Sequence, residues 1–154
     1  MRTKIQRGFS ALELVVVVAI IIILSAIAIP NIVTAREGYT LLIATDVLTQ
    51  QFNRCRQEAV RANNRMKVKV TATTTQLDSN RDNAFNSSDE VAVFISEEAT
   101  VTAMTPDTGI VEFTSRGEIP VGDAPSFTVS TGTRYRVVTI DPRGSVRVGP
   151  EIVN

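Results

Sequence analysis

The chain has 154 residues, 16 Lys and Arg against 16 Asp and Glu, no histidine, no tryptophan and one cysteine, so it has room for one modest globular domain and an additional helix. Without histidine it lacks the usual general base and the commonest transition-metal ligand, and no Ser/His, Cys/His or phosphate-loop pattern takes their place; no enzyme is expected. A lone Cys55 excludes an intramolecular disulfide, and the balanced charge leaves no electrostatic footprint for nucleic acid.

Residues 1–8 carry Arg2, Lys4 and Arg7 and no acid. From Phe9 to Ile29 the chain is almost continuously apolar, with Glu13 as its one charge. About 20 apolar residues suffice to cross a bilayer as a helix. The preceding cations keep that end cytoplasmic, which places the C-terminal bulk on the far side. A signal peptide or a simple anchor is the plainest reading. However, the apolar run is longer than a signal-peptide core, and no clean small-residue cleavage site closes it. Nor does a simple anchor explain Glu13, because a carboxylate in a membrane helix costs a few kcal/mol unless it has a partner. If the chain is cut between Gly8 and Phe9, the new Phe9 amine lies one helical turn from Glu13. In staggered neighbouring helices the Glu13 of one chain can meet the Phe9 amine of the next, which turns a membrane cost into a register device.

The run Gly8-Phe9-Ser10-Ala11-Leu12-Glu13, after a short basic leader and before a long apolar helix, resembles the type IV pilin and type II secretion pseudopilin superfamily. The resemblance implies several expectations. A prepilin peptidase cuts after Gly8 and Phe9 becomes N-methylated. Glu13 guides docking between subunits, and Pro30 matches a helix-loosening proline in relatives. The chain is then a single-pass protein of the bacterial inner membrane, N-terminus cytoplasmic and C-terminal domain periplasmic. Its partners are other pilins or pseudopilins of the same filament, the peptidase, the inner-membrane assembly platform and membrane lipid; nucleic acid is not an expected partner. Loss of residues 1–8 takes Lys and Arg from 16 to 13 against 16 acids, leaving a net charge of about −3. The expected division is a leader at 1–8, a transmembrane and assembly helix at 9–30, an amphipathic helix at 31–64 and a β-rich domain at 65–154.

Pro30 removes a backbone donor and clashes with the preceding turn, so a kink or a melted turn is expected there. Beyond it, Ile32, Ala35, Tyr39, Leu42, Leu48, Phe52, Cys55, Ala59 and Ala62 recur at three- and four-residue steps, with Thr45 filling the one wider gap. The spacing predicts an amphipathic stripe packed on the globular domain. Gly38 is a weak point in this helix. Cys55 reads as a small buried apolar residue, and Asn63-Asn64 as the helix stop. The segment carrying Arg56, Glu58, Ala59 and Asn63 resembles the H-type minor pseudopilins and their FimT-like pilus relatives; a solvated charged face explains the same residues equally well.

From Met66 the period becomes two: Met66, Val68 and Val70 alternate with Lys67, Lys69 and Thr71, as in a half-buried strand. Further strands are expected at 73–77, 91–96, 110–114, 126–130, 134–140 and 145–148. Asp141-Pro142-Arg143-Gly144 has the pattern of a type I turn and should join the last two strands as a hairpin. The Phe113-Thr-Ser-Arg-Gly run and the Gly144 hairpin again resemble the H-type subgroup. The fold class expected is α+β, a long N-terminal helix packed on an antiparallel β-sheet domain, pilin-like.

Between the strands, Asp78, Asn80, Asp82 and Asp89 stand at the first, third, fifth and twelfth places of an EF-hand-like loop, a pattern of oxygen ligands that suits Ca²⁺. Asn83 replaces the turn glycine and Asp89 the bidentate glutamate, so a polar connection rich in Asx turns is the competing reading, and the favoured one. No cofactor is otherwise expected. The expected function is a minor pilin-like subunit that helps initiate or cap a type II secretion pseudopilus or a type IV pilus. The alternatives are a major pilin and a DNA-uptake or adhesion subunit. For DNA uptake, Arg134, Arg136, Arg143 and Arg147 are the candidate cluster, with Arg134 and Arg136 on one strand face.

Overall fold

The computed structural model describes residues 10–82, 85, 92–120 and 124–153. One helix, α1 (Ala11–Arg61), precedes nine strands: β1 (Met66–Val70), β2 (Thr74–Leu77), β3 (Val93–Phe94), β4 (Thr100–Thr105), β5 (Ile110–Phe113), β6 (Ser126–Thr131), β7 (Arg134–Ile140), β8 (Val146–Val148) and β9 (Ile152–Val153). The chain falls into two compact units that part between Arg36 and Glu37.

In the first unit, Ser10 caps α1: its hydroxyl accepts from the Leu12 N–H at 3.3 Å and its carbonyl from the Leu14 N–H at 3.1 Å. The melted turn expected at Pro30 is absent, and the helix runs through it. Side chains support the backbone around the missing N–H: Asn31 Nδ2 donates to the Ile27 carbonyl at 3.3 Å and Thr34 Oγ1 to the Pro30 carbonyl at 2.9 Å.

In the second unit, α1 lays one stripe on two antiparallel sheets. The first sheet has the order β3-β2-β1-β5; in the second, β4-β6-β7-β8, the short β9 also pairs with β7. The buried helix positions are Leu41, Ala44, Thr45, Leu48, Phe52, Cys55 and Ala59. This corrects the upper half of the expected stripe. Tyr39 is 65 % exposed and Leu42 41 %, and Ile32 in the first unit is also exposed. Extended backwards from Leu48 in steps of three and four, the stripe reaches Ala44 and Leu41, and a start at Tyr39 rotates it off the core-facing side. Opposite the helix the sheets supply Val68, Val70, Val111, Phe113, Phe127, Val129, Val138 and Ile140, all buried. The Phe52 and Phe127 rings meet at 5.1 Å between centroids, tilted by 37°. Each such side chain contributes about 1.5–3 kcal/mol by leaving water, before conformational entropy is set against it.

The helix stop falls where the paired asparagines indicated. Asn63 adopts φ +46°, its N–H donates to the Val60 carbonyl at 3.1 Å, and the Asn64 N–H reaches back to the Ala59 carbonyl at 3.1 Å. This is a Schellman closure with asparagine in the left-handed position. β1 alternates as expected, with Met66, Val68 and Val70 inward. Two strands were not expected. β4 carries a bulge between Val101 and Ala103, so its inward residues Val101 and Met104 lie three apart and the period of two is lost. β9 is two residues long and is recognisable only from its pairing with Arg134 and Tyr135. The β6–β7 hairpin closes through Gly132 (φ +55°) and Thr133, a two-residue loop with glycine where a type II′ turn needs it. The expected β7–β8 hairpin is present, with Ile140 opposite Val146 and Gly144 N–H donating to the Asp141 carbonyl at 2.8 Å.

Candidate functional site

Every large apolar side chain from Leu12 to Val33 is exposed, and the segment is long and apolar enough to cross a membrane. Glu13 lies in the first turn of α1, where a carboxylate faces the positive end of the helix dipole. The exposed apolar surface and this lone acid form the candidate site. Gly8 and Phe9, the expected cleavage pair, lie outside the described residues. Pro30 stands within the exposed stretch.

Behind the helix, three pieces of sequence that resembled the H-type subgroup meet in space. Arg56 Nε donates to the Gly117 carbonyl at 3.0 Å. Gly117 (φ +74°) and Gly144 (φ +77°) are both left-handed and buried. A Cβ on Gly144 would sit 2.0 Å from the Gly117 carbonyl oxygen, and one on Gly117 would lie 3.0 Å from Arg56 Nε and from Val60 Cγ2. Two glycine turns therefore nest against each other and against the last turns of α1. The sequence offered each glycine as a turn residue, but no local pattern says that the turns touch. The arrangement is a structural lock between helix and sheet.

Arg134 and Arg136 do share a strand face, but it is the inner one. They stand opposite Thr131 and Val129 of β6, both buried, and each is about one-fifth exposed. Both pair with Glu151: Arg134 Nη1 bonds Oε1, and Arg136 Nη2 lies 3.4 Å from Oε2. The Arg134 hydrogen bond, supported by Arg136, holds the Glu151 carboxyl below its ordinary value against the opposing pull of desolvation. Arg147 pairs with Asp141 at 3.7 Å. The expected exposed arginine cluster is therefore corrected: two of its members are drawn inside the fold, where they share one carboxylate from the tail, and a third pairs with the turn acid.

In the acidic segment, Asp78 directly follows β2 and is buried, with its N–H donating to the Lys67 carbonyl at 3.0 Å. Asn80 and Asp82 are exposed and bonded to each other: Asn80 Nδ2 donates to Asp82 Oδ2 at 3.0 Å and Asp82 N–H to Asn80 Oδ1 at 3.1 Å. This is an Asx turn. Asp89 lies outside the described residues. Among the described residues, no three His, Cys, Asp or Glu side chains gather as a group that could hold a metal. Cys55 is fully buried, as expected; burial pushes its thiol pKa far up, and the Asp78 carboxylate adds to the effect.

The geometry is placed by its likeness to solved structures alone. No family model matches the sequence, and no curated protein does. Among solved structures, the chain is similar to the type IV minor pilin FimU of Pseudomonas aeruginosa strain PAO1. The P21 crystal form superposes with a TM-score of 0.61 at 15 % identity, over 74 % of this chain and 91 % of that one. The P65 form gives 0.56 at 14 % identity, over 70 % and 90 %. The fold is accordingly that of a pilin: one long N-terminal helix packed on antiparallel sheets.

Proposed function

We propose that this chain is a minor subunit of a pilin-like filament, either a type II secretion pseudopilus or a type IV pilus. It is held in the inner membrane by residues 9–30 and assembled through that helix to start or cap the fibre. The observation that carries this reading is the exposed apolar first half of α1, with one carboxylate in its first turn, on a chain whose fold is shared with a minor pilin. A helical stretch whose large apolar side chains are all uncovered must find lipid or other helices, and a lone acid in lipid needs a cationic partner. The proposed partner is the Phe9 amine released by cleavage after Gly8 and then N-methylated. Pairing of Arg134 and Arg136 with Glu151 argues against the DNA-uptake alternative.

Intact-mass measurement on protein from native membranes tests the processing. The expected mass corresponds to a chain beginning at methylated Phe9; assembled protein that retains 1–8 refutes it. Glu13→Ala should leave the domain folded and membrane content unchanged while filament incorporation falls at least tenfold. Normal incorporation of the variant rules out the register role.

A further inference from the structure

A groove of about 500 Å³ lies over the last turns of α1, lined by Asn53, Arg56, Gln57, Val60, Arg61 and Arg116. Three guanidiniums border it and none of its lining residues is acidic. Two of the three are held on rigid parts of the fold. Arg56 is fixed by its Nε bond to the Gly117 carbonyl. Arg116 lies in a tight turn closed by the Gly117 N–H to the Thr114 carbonyl at 2.8 Å and the Thr114 N–H to the Glu118 carbonyl at 2.8 Å. Arg61 is 82 % exposed and bonded to Glu58 at 3.4 Å, so its guanidinium can turn towards the groove at little cost. Val60, half exposed, provides an apolar wall beside the charges. The negative end of the helix dipole accounts for one cation in the last turn of α1, but not for Arg116, which comes from the β5–β6 connection.

We propose that this groove docks a carboxylate-bearing peptide segment presented by a neighbouring subunit. The inference rests on the filament reading only for the identity of the neighbour. Planar guanidiniums match carboxylate oxygens in bidentate geometry, and Arg56, already held through its Nε, loses little entropy on binding. Nucleic acid fits less well. No aromatic residue lines the groove for base stacking.

The test uses the full chain in neutral detergent micelles and fluorescence anisotropy with three labelled probes: an octapeptide of alternating Glu and Ser, the same peptide with Gln for Glu, and a 12-nucleotide DNA single strand. The acidic peptide should bind, weaken as salt rises, and lose at least tenfold in affinity with Arg61→Glu plus Arg116→Glu. Both positions are exposed; the Arg61 change loses only a surface pair with Glu58 and a cation at the helix C-terminus, so the thermal midpoint should fall by no more than a few degrees. Asn53→Glu, which places a carboxylate in the groove from the helix, is a second and independent variant and should weaken binding likewise. Equal binding of the Glu and Gln peptides, tighter binding of the DNA, or affinity unaffected by the variants would each overturn the proposal. None of these outcomes bears on processing or filament incorporation, so failure here and failure of the filament reading remain distinguishable.

Discussion

The lock between the two glycine turns and α1 makes a quantitative prediction. In Gly144→Ala the new Cβ lies 2.0 Å from the Gly117 carbonyl oxygen and 3.1 Å from Arg56 Nε, at φ +77°. The left-handed backbone alone costs an L-residue about 1–2 kcal/mol. The overlap is with backbone, so it is relieved only by moving the two turns apart, which breaks the Arg56–Gly117 hydrogen bond; a bond to a charged donor contributes about 1.5–3 kcal/mol. The total is roughly 2.5–5 kcal/mol, a fall of about 10–20 °C in melting midpoint for a domain of this size. Gly132→Ala isolates the first contribution, since Gly132 is also left-handed (φ +55°) but nothing lies within 4 Å of its Cβ position. That variant should lose only about 4–8 °C. The assay is thermal circular dichroism of a fragment starting at Thr34, whose own cooperative melting is the first result required. Equal shifts for the two variants, or a loss at Gly144 no larger than that at Gly132, would refute the nesting of the turns as a source of stability.

Gly38→Ala should stabilise the full chain by up to about 1 kcal/mol, because alanine is the better helix former and its Cβ would meet Arg134 Nη1 at an ordinary 3.5 Å. Urea titration read by alkylation of Cys55 measures this, and a lowered midpoint would show that the Arg134–Glu151 pair cannot tolerate the methyl group. Cys55 should resist alkylation in the native state. Its thiol pKa is raised by folding, so the folded state keeps a proton that the unfolded state gives up above about pH 8.5. Stability is thus complete below that pH and falls above it by about 1.4 kcal/mol per pH unit from this group; Cys55→Ala should flatten the alkaline limb, and an unchanged limb would remove the assignment. Glu151 has the opposite sign. Its pKa is lowered in the fold, so its contribution is present above the ordinary glutamate value and lost as pH falls through the lowered one, and Glu151→Gln should reduce the acid dependence of the midpoint. For the acidic segment, thermal scans in EGTA, Mg²⁺ and Ca²⁺ should coincide; a calcium-specific rise, abolished by Asp78→Ala plus Asp82→Ala, would replace the Asx-turn reading with a metal site.

By itself the sequence determined what depends on neighbours along the chain. The apolar stretch from Phe9 to Ile29 needs no partner to be legible, since hydropathy belongs to each residue. The alternation of β1, the Asp141–Gly144 turn and the stop at Asn63 are likewise local, set by side-chain period and by which residues tolerate a left-handed backbone. Tertiary structure alone decided which faces meet. Tyr39 and Leu41 are both apolar helix residues two positions apart, and only the sheets opposite select Leu41 for the core. The bulge in β4 erased the period by which that strand would have been found. Arg134 and Arg136 look from sequence like an exposed basic stripe. They turn inward because β6 fixes the register of β7 and because Glu151, fifteen residues beyond Arg136, returns to pair with both of them. Arg56, Gly117 and Gly144 carry no local sign of one another. Their contact exists because chain closure brings three distant segments together, and the missing glycine side chains leave the space in which they meet.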